Sequence, residues 1–461
     1  MNKTLRFIIS VVLVAALVFS SFVFANAAVV VTDEAGLRNA LAGDATTIQI
    51  DGTINLTDQL DINRSVTIIG GTIVQKRTSS SLKEQVNAHE GTIVFKGTTL
   101  TVASGSNAPG LAIGGSTHVV LDGAILESET NDTVYFNGDF TGTLDIIGNS
   151  SLTNKVSGKK VINTNASSKG TINFVSGLIK STGGDGIQLQ GSHIFNVGGV
   201  AGQKAKMNIT GDGFWFAGGT TVVNIYDGAE IIANTKFTNM NATIDSICAK
   251  MNIYGGTITT PGDFIYTQKT ANVNIFGGTI TTGGRFVYNK NNASKVFVSG
   301  GNITCNGTPF DVASTSSVDI VGGTFNFDPS AYVATGYGAT ASGSAYTVAA
   351  NPGTATVVNN SAEFISAVDS GAAHIKLGAS FELGATAVID SDVYIDGNGY
   401  QITGGSQIQV KGNGNTVTFK NVKYTRGSDA VMLMESPNLI ISGGELSCTH
   451  KASGPYNNEG T

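Results

Sequence analysis

Between Met251 and Phe327, apolar and polar residues alternate in short runs that repeat. Met251-Asn-Ile-Tyr-Gly-Gly-Thr-Ile-Thr-Thr260, Val273-Asn-Ile-Phe-Gly-Gly-Thr-Ile-Thr-Thr282, Val296-Phe-Val-Ser-Gly-Gly-Asn-Ile-Thr-Cys305 and Val318-Asp-Ile-Val-Gly-Gly-Thr-Phe-Asn-Phe327 align on Gly-Gly pairs, with steps of 22, 23 and 22 residues. An apolar period of two, punctuated by glycine, predicts strands and excludes helical repeats. A fixed period of this size predicts a solenoid. Each unit holds about three strand-length runs, such as Val273-Asn-Ile-Phe276, Thr279-Ile-Thr-Thr282 and Phe286-Val-Tyr-Asn289. The expected fold is all-β, a right-handed parallel β-helix of ~22–28 residues per coil.

The same period says which side chains turn inward. Ile253, Ile275, Val298 and Ile320 form one expected column, and Ile258, Ile280, Ile303 and Phe325 a second. Phe264, Phe286 and Phe310 form a third, with Tyr266, Tyr288 and Val312 two residues on. Alternation sends Asn252, Asn274 and Asp319 outward, together with Thr257, Thr279 and Thr324. Coils stacked ~4.8 Å apart bring like residues into ladders.

Away from these regular coils (251–327) the period loosens. Coil signals recur at Val119-Val-Leu-Asp-Gly123, Leu144-Asp-Ile-Ile-Gly148, Ile172-Asn-Phe-Val-Ser-Gly177 and Val223-Asn-Ile-Tyr-Asp-Gly228. Two insertions, Lys76 to Glu90 and Gly198 to Lys206, belong in surface loops. Upstream, residues 33–42 read as a short amphipathic helix with Thr32 or Asp33 as N-cap and Gly43 as the stop, suited to plugging an open solenoid end. That opening returns: Val31, Leu37, Ala40, Leu41, Ile48, Ile50, Ile62, Val66, Ile68 and Gly70 each reappear as the same or a similar residue 327 positions later. Two tandem modules are therefore expected. The first spans 28–350 and closes over 328–348. The second spans 351–461, has a cap helix at 361–369 and is too short to be complete.

Composition narrows the class. Charged residues make up only 13% of the 461, which suits long β-faces and argues against disorder. A net charge of −6 with no basic run disfavours nucleic acid as a partner. Cys248, Cys305 and Cys448 are odd in number and widely spaced, without a metal pattern, and Cys305 takes the inward place of Thr260 and Thr282. The histidines at 89, 118, 193, 374 and 450 share no metal or triad spacing. Residues 1–27 read as a secretory signal: Lys3 and Arg6, the apolar run Phe7 to Phe24, then Ala25-Asn26-Ala27 before the cleavage point. The mature protein is expected outside the cell, with no membrane association beyond that signal.

The helix-then-strands opening resembles the start of pectate-lyase-like right-handed β-helices. Val31-Thr32, Leu37, Ala40-Leu41 and Ile48-Gln-Ile50 carry it, as do Val358-Asn359, Phe364, Ala367-Val368, Ile375-Lys-Leu377 and Val393-Tyr-Ile-Asp-Gly-Asn-Gly399. More narrowly it is similar to the pectate lyase-like adhesive modules found in tandem on Gram-positive (Firmicute) surfaces. The stretch from Gly322 through Tyr332 to Tyr337 resembles a recurrent ending of such surface β-helices. The resemblance covers nearly the whole mature chain and speaks strongly about architecture, weakly about chemistry. It implies a cell-surface partner, either an extracellular polysaccharide or a host or cell-wall surface.

Within that frame a turn recurs at Gly183-Gly-Asp185-Gly-Ile-Gln-Leu189, Thr210-Gly-Asp212-Gly-Phe-Trp-Phe216 and Gly427-Ser-Asp429-Ala-Val-Met-Leu433, with Asp132 and Asp263 in related places. Polygalacturonases and pectate lyases carry similar motifs, so the resemblance would make Asp185, Asp212 and Asp429 catalytic carboxylates, with Ca2+ only in the lyase case. Those enzymes also need a second carboxylate or a calcium cluster, and a basic partner. No Asp-Asp pair, Gly-His-Gly or Arg-x-Lys follows Asp185, and the mature chain has only Arg38, Arg64, Arg77, Arg285 and Arg426. A turn that returns coil after coil is expected to be structural, its Asp bonding to nearby backbone N–H groups. No catalytic residue, cofactor or metal is therefore expected. Trp215, the lone tryptophan, aligns with Gln188 and points outward, and Tyr135 falls in the same place. Both are candidate sugar-binding residues, the alternative for Trp215 being cover by the 198–206 insertion. The Thr257/Thr259 and Thr279/Thr281 pairs are an ordinary threonine-rich strand face, since Asn302 and Asn326 break the array.

Overall fold

The structure is a computed structural model. It describes residues 27–75, 86–102, 108–241, 249–291, 293–351, 353–412, 415–427, 431–433 and 437–448. The described residues form right-handed parallel β-solenoid coils, about 15 turns in all, with two short α-helices. One compact unit comprises the described residues up to Ala313, apart from Phe297–Ser299; those three and the residues from Ser314 onward form the other.

A coil of the first unit is three strands and three corners. Ala249–Ile253, Thr257–Thr260 and Asp263–Thr267 make one coil. Each strand pairs in parallel with its counterpart in the next coil: Met251 opposite Val273, Ile258 opposite Ile280, Ile265 opposite Val287. Ile253, Ile275, Ile258 and Ile280 are fully buried, each stabilising the stack by roughly 2–3 kcal/mol relative to exposure. The sharp corner after the first strand needs a backbone that L-residues avoid. The second glycine of every Gly-Gly pair supplies it, with φ of 87°, 93°, 101° and 107° at Gly256, Gly278, Gly301 and Gly323.

The third column differs from its expected form. Phe264 and Phe286 are buried and stack on each other at 5.6 Å, but they lie one residue ahead of the positions that pair across coils, which are the buried Ile265 and Val287 and the half-buried Phe310. Tyr266 and Tyr288 consequently face outward, in register with Asp311 rather than Val312. Two consecutive apolar residues leave the phase of a period-two pattern open, and a one-residue slip turns every later side chain over.

The outward side of the first strands carries an asparagine ladder. Asn274 donates to Asn252 at 2.9 Å, Asn252 to Asn224 at 2.9 Å, Asn224 to Asn196 at 3.0 Å and Asn196 to Asn173 at 2.8 Å. Asn173 donates to Asp145 Oδ1 at 2.7 Å, and Asp145 Oδ2 meets His118 Nε2 at 2.8 Å. Every amide in the run donates toward the earlier coil.

The first helix, Glu34–Ala42, is capped by Asp33, whose carboxylate accepts from Gly36 N–H at 2.7 Å. Leu37 and Ala40 face the core. At the other end the Arg64 guanidinium donates to Leu41 O at 2.8 Å and Ala40 O at 2.9 Å, satisfying carbonyls that the helix cannot. In the second unit, Ser361–Asp369 repeats the arrangement with Asn360 as the cap. Its Phe364 packs into a core of Val358, Ile375, Leu377, Ile395, Phe419 and Tyr424. An antiparallel hairpin, Tyr337–Ser342 with Ala345–Ala350, pairs with Gly323–Phe325.

Candidate functional site

The third strands of the first unit form an eleven-stranded parallel sheet running from Leu60–Ile62 to Phe310–Val312. Its registers place Tyr135, Asn163, Gln188, Trp215, Asn239, Tyr266 and Tyr288 opposite one another in seven consecutive coils. All seven are half-buried while their sequence neighbours within the strands are buried, so one continuous file of aromatic and amide side chains faces outward. Trp215 and Tyr135 share this file. The 198–206 insertion is held elsewhere, at the Tyr226–Gly228 corner, where Gly199 donates to Asp227 O at 2.8 Å and Ala205 to Gly228 O at 3.0 Å. What lies over the Trp215 ring is Lys160, with Nζ 4.9 Å from the centroid.

Beside the file, at the start of each strand, runs a second ladder, of charge. Asp132, Lys160, Asp185, Asp212, Lys236, Asp263 and Arg285 each precede the first paired core residue of their strand by two positions. The aspartates reach across coils. Asp132 Oδ1 accepts Lys160 N–H at 2.8 Å, Asp185 Oδ1 accepts Asp212 N–H at 2.9 Å, and Asp263 Oδ1 accepts Arg285 N–H at 2.9 Å. The expected bond to a turn's own backbone is therefore replaced by one to the next coil. The free edge of a turn in a stack faces a neighbouring amide, which a carboxylate one strand-spacing away can satisfy.

The remaining carboxylate oxygens bind the file and the cations. Asp132 Oδ2 accepts from Asn163 at 2.8 Å, and Asp212 Oδ2 from Asn239 at 2.7 Å. Lys160 Nζ lies 3.0 Å from Asp185 Oδ2, and Lys236 Nζ 3.6 Å from Asp212 Oδ1. Arg285 grips Asp263 with Nη2 at 2.7 Å and Nε at 3.0 Å, and reaches Asp311 with Nη1 at 3.0 Å. Lys290 also bonds to Asp311. The same cations cover ring faces: Lys236 Nζ sits 5.1 Å from the Tyr266 centroid, and the Arg285 guanidinium 4.0 Å from that of Tyr288. Tyr266 and Tyr288 stack at 4.6 Å, and Gln268 donates to their hydroxyls at 3.0 and 3.3 Å. Asn165 does the same for Tyr135 at 3.0 Å.

Electrostatics follow from this packing. Burial pushes the Asp212 carboxyl above its ordinary value, the charge of Asp185 adds to that, and the bond from Asn239 and the charge of Lys236 oppose it. Burial would also raise Asp263, but the Arg285 hydrogen bonds and charge outweigh it and hold that carboxyl below the usual range. Asp185 and Asp212 thus stand on adjacent coils with a lysine beside each, and Asp429 lies outside the described residues. Among the described residues no three His, Cys, Asp or Glu side chains gather closely enough to hold a metal ion.

Lys160, Lys236 and Arg285 are marked in the sequence by place rather than type: each occupies the turn position that is Asp in neighbouring coils. Tyr266 and Tyr288 were hidden by the phase ambiguity at Phe264-Ile265 and Phe286-Val287. Cys305 is buried as expected, its thiol donating to Gly284 O at 3.2 Å. No helix among the described residues is long and apolar enough to cross a membrane. Comparison of the chain with protein-family models, curated proteins and solved structures returns no match.

Proposed function

We propose that this protein is exported and acts outside the cell as a non-catalytic, adhesive β-helix that binds polysaccharide along the outward file of the eleven-stranded sheet. The observation that carries this reading is the file itself: aromatic and amide side chains in seven consecutive coils, six of them held by a neighbouring side chain. Pre-set amides and tyrosine hydroxyls lose little freedom on binding hydroxyl-rich chains, and the half-exposed rings add apolar edge. A solenoid repeats such groups at the spacing of its coils, which matches a polymer better than a small molecule. The leader-like residues 1–27 and the resemblance to adhesive modules of Gram-positive surfaces support the location.

A second reading, a polysaccharide lyase or hydrolase of the pectate-lyase-like class, draws on Asp185 and Asp212 standing together with Lys160 and Lys236. It is the weaker one because most of the carboxylate oxygens are engaged: Asp185 by Asp212 N–H and Lys160, and Asp212 Oδ2 by Asn239, with Lys236 3.6 Å from the buried Asp212 Oδ1. Asp212 is moreover buried. A glycan array of the mature chain, with and without calcium, beside an assay for unsaturated or hydrolysed sugar product, separates the two. Binding without product, weakened in Trp215→Ala and Tyr135→Ala, is the expected result. Product formation abolished in Asp212→Asn would overturn it in favour of the enzyme.

A further inference from the structure

Building on the carbohydrate-binding reading, we infer that the ligand of this face is an uncharged polysaccharide and that acidic polymers are refused. Among the described residues, the cations of the charge ladder, and Lys290 beside it, are all paired. Lys160 is paired with Asp185, Lys236 with Asp212, Arg285 with Asp263 and Asp311, and Lys290 with Asp311. Counting Asp132 with those four aspartates, five carboxylates of the ladder and its neighbour Asp311 stand against these four cations, an excess of one negative charge within this set.

Geometry reinforces the count. The Lys160 side chain is only 8% exposed, and the Lys236 and Arg285 side chains are 24% and 30% exposed. All four are turned onto ring faces of the file, within 5.4 Å of the centroids, and onto carboxylates. To grip a uronate, sulfate or phosphate, each would have to leave both partners, stranding a carboxylate beside an incoming anion. What the face does offer is neutral: the amides of Gln188 and Gln268 and the hydroxyls of Tyr266 and Tyr288. Amides and phenols donate to and accept from sugar hydroxyls without a charge to neutralise. Polymers that bring only hydroxyls therefore meet partners, and polymers that bring charge meet repulsion.

The test is affinity electrophoresis of the mature chain through gels holding hydroxyethylcellulose, mannan or dextran, against polygalacturonate or dextran sulfate, at low and high salt. Retardation by at least one neutral polymer, unchanged by salt and lost in Trp215→Ala, is the expected result, with no retardation by either acidic polymer. Because salt screens exposed charge, binding of an acidic polymer that fades as salt rises would overturn this inference while leaving the carbohydrate-binding reading in place. Failure of every polymer to retard the protein, or retardation indifferent to Trp215→Ala and Tyr288→Ala alike, would overturn both. A charge-release variant probes the cause. Asp311→Asn keeps the shape of an exposed side chain and frees Lys290 together with one arm of Arg285, so it should create salt-sensitive retardation by dextran sulfate. Its absence would count against pairing as the reason for refusal.

Discussion

Asp185 accepts the backbone N–H of Asp212 through one carboxylate oxygen and the Lys160 ammonium through the other, at 2.9 and 3.0 Å. One side chain thus ties three successive coils together. Removing it strands a backbone donor and a largely buried cation, while an amide in its place keeps the acceptor. Asp185→Ala should cost about 2 kcal/mol locally, discounted for the partial exposure of Asp185, and Asp185→Asn about half as much. Long repeat arrays need not unfold in one step, so hydrogen exchange at the Asp212 amide is the better measure. Protection of that amide should fall roughly 30-fold in the alanine variant. Unchanged protection would mean that water takes the place of the carboxylate.

Arg285 makes a second prediction because its fork is used on both sides. Nε and Nη2 hold Asp263 and Nη1 holds Asp311, while the guanidinium plane covers Tyr288. A lysine carries the same charge but neither the fork nor the plane. Arg285→Lys should lower stability by roughly 1 kcal/mol, a figure kept small by the partial exposure of the pair. Thermal unfolding would read this as a lower midpoint, and a midpoint equal to that of the wild type would show that charge alone suffices.

His193 gives the chain a dependence on acid. It is buried against Phe136 and Phe140, with Nε2 2.9 Å from Ser168 Oγ, and burial lowers its pKa from 6.5 to about 4. A histidine depressed in the fold takes up a proton more readily when unfolded. Its contribution is therefore complete above about pH 6.5 and is lost as the pH falls from there toward 4, on the order of 3 kcal/mol in all. Denaturant midpoints should decline across that window and do so less steeply in His193→Gln. Equal slopes for the two proteins would contradict this.

Close backbone approach between coils supplies a fourth case. A Cβ added at Gly262 would lie 1.5 Å from Thr235 O, whereas one added at Gly405 meets nothing within 4 Å. Gly262→Ala must push neighbouring coils apart and should cost about 3 kcal/mol, the upper range for overpacking. Gly405→Ala should be neutral or slightly stabilising, by up to ~0.5 kcal/mol. Paired measurements of soluble yield and thermal midpoint would check both, and equal behaviour would refute the steric account.

The architecture was legible in the sequence because a solenoid writes its period directly into the chain: Ile253, Ile275, Ile258 and Ile280 were assigned inward from spacing alone and are buried. The outward position of Trp215 followed from alternation. Phase was legible only where apolar and polar residues strictly alternate, and at Phe264-Ile265 they do not. The charge ladder was half visible. Asp185 and Asp212 stood out as repeats of one residue type, while Lys160 and Arg285, in the equivalent position, did not look like members of the same set. Pairing between coils is a relation across 22 to 28 residues, and only the register reveals it.

The asparagine run from Asn274 to Asn173 has an evolutionary reading. Each of Asn196, Asn224 and Asn252 donates to one neighbour and accepts from the other, so these members are interchangeable. Duplicating or deleting a whole coil inside the run would lengthen or shorten the chain of amides without leaving any of them idle. Asp145 cannot be copied in that way, because a carboxylate only accepts and must stand at one terminus of the run, as it does between Asn173 and His118. Within this run the amide ladder itself sets no fixed length, and only its end at Asp145 is of a different kind.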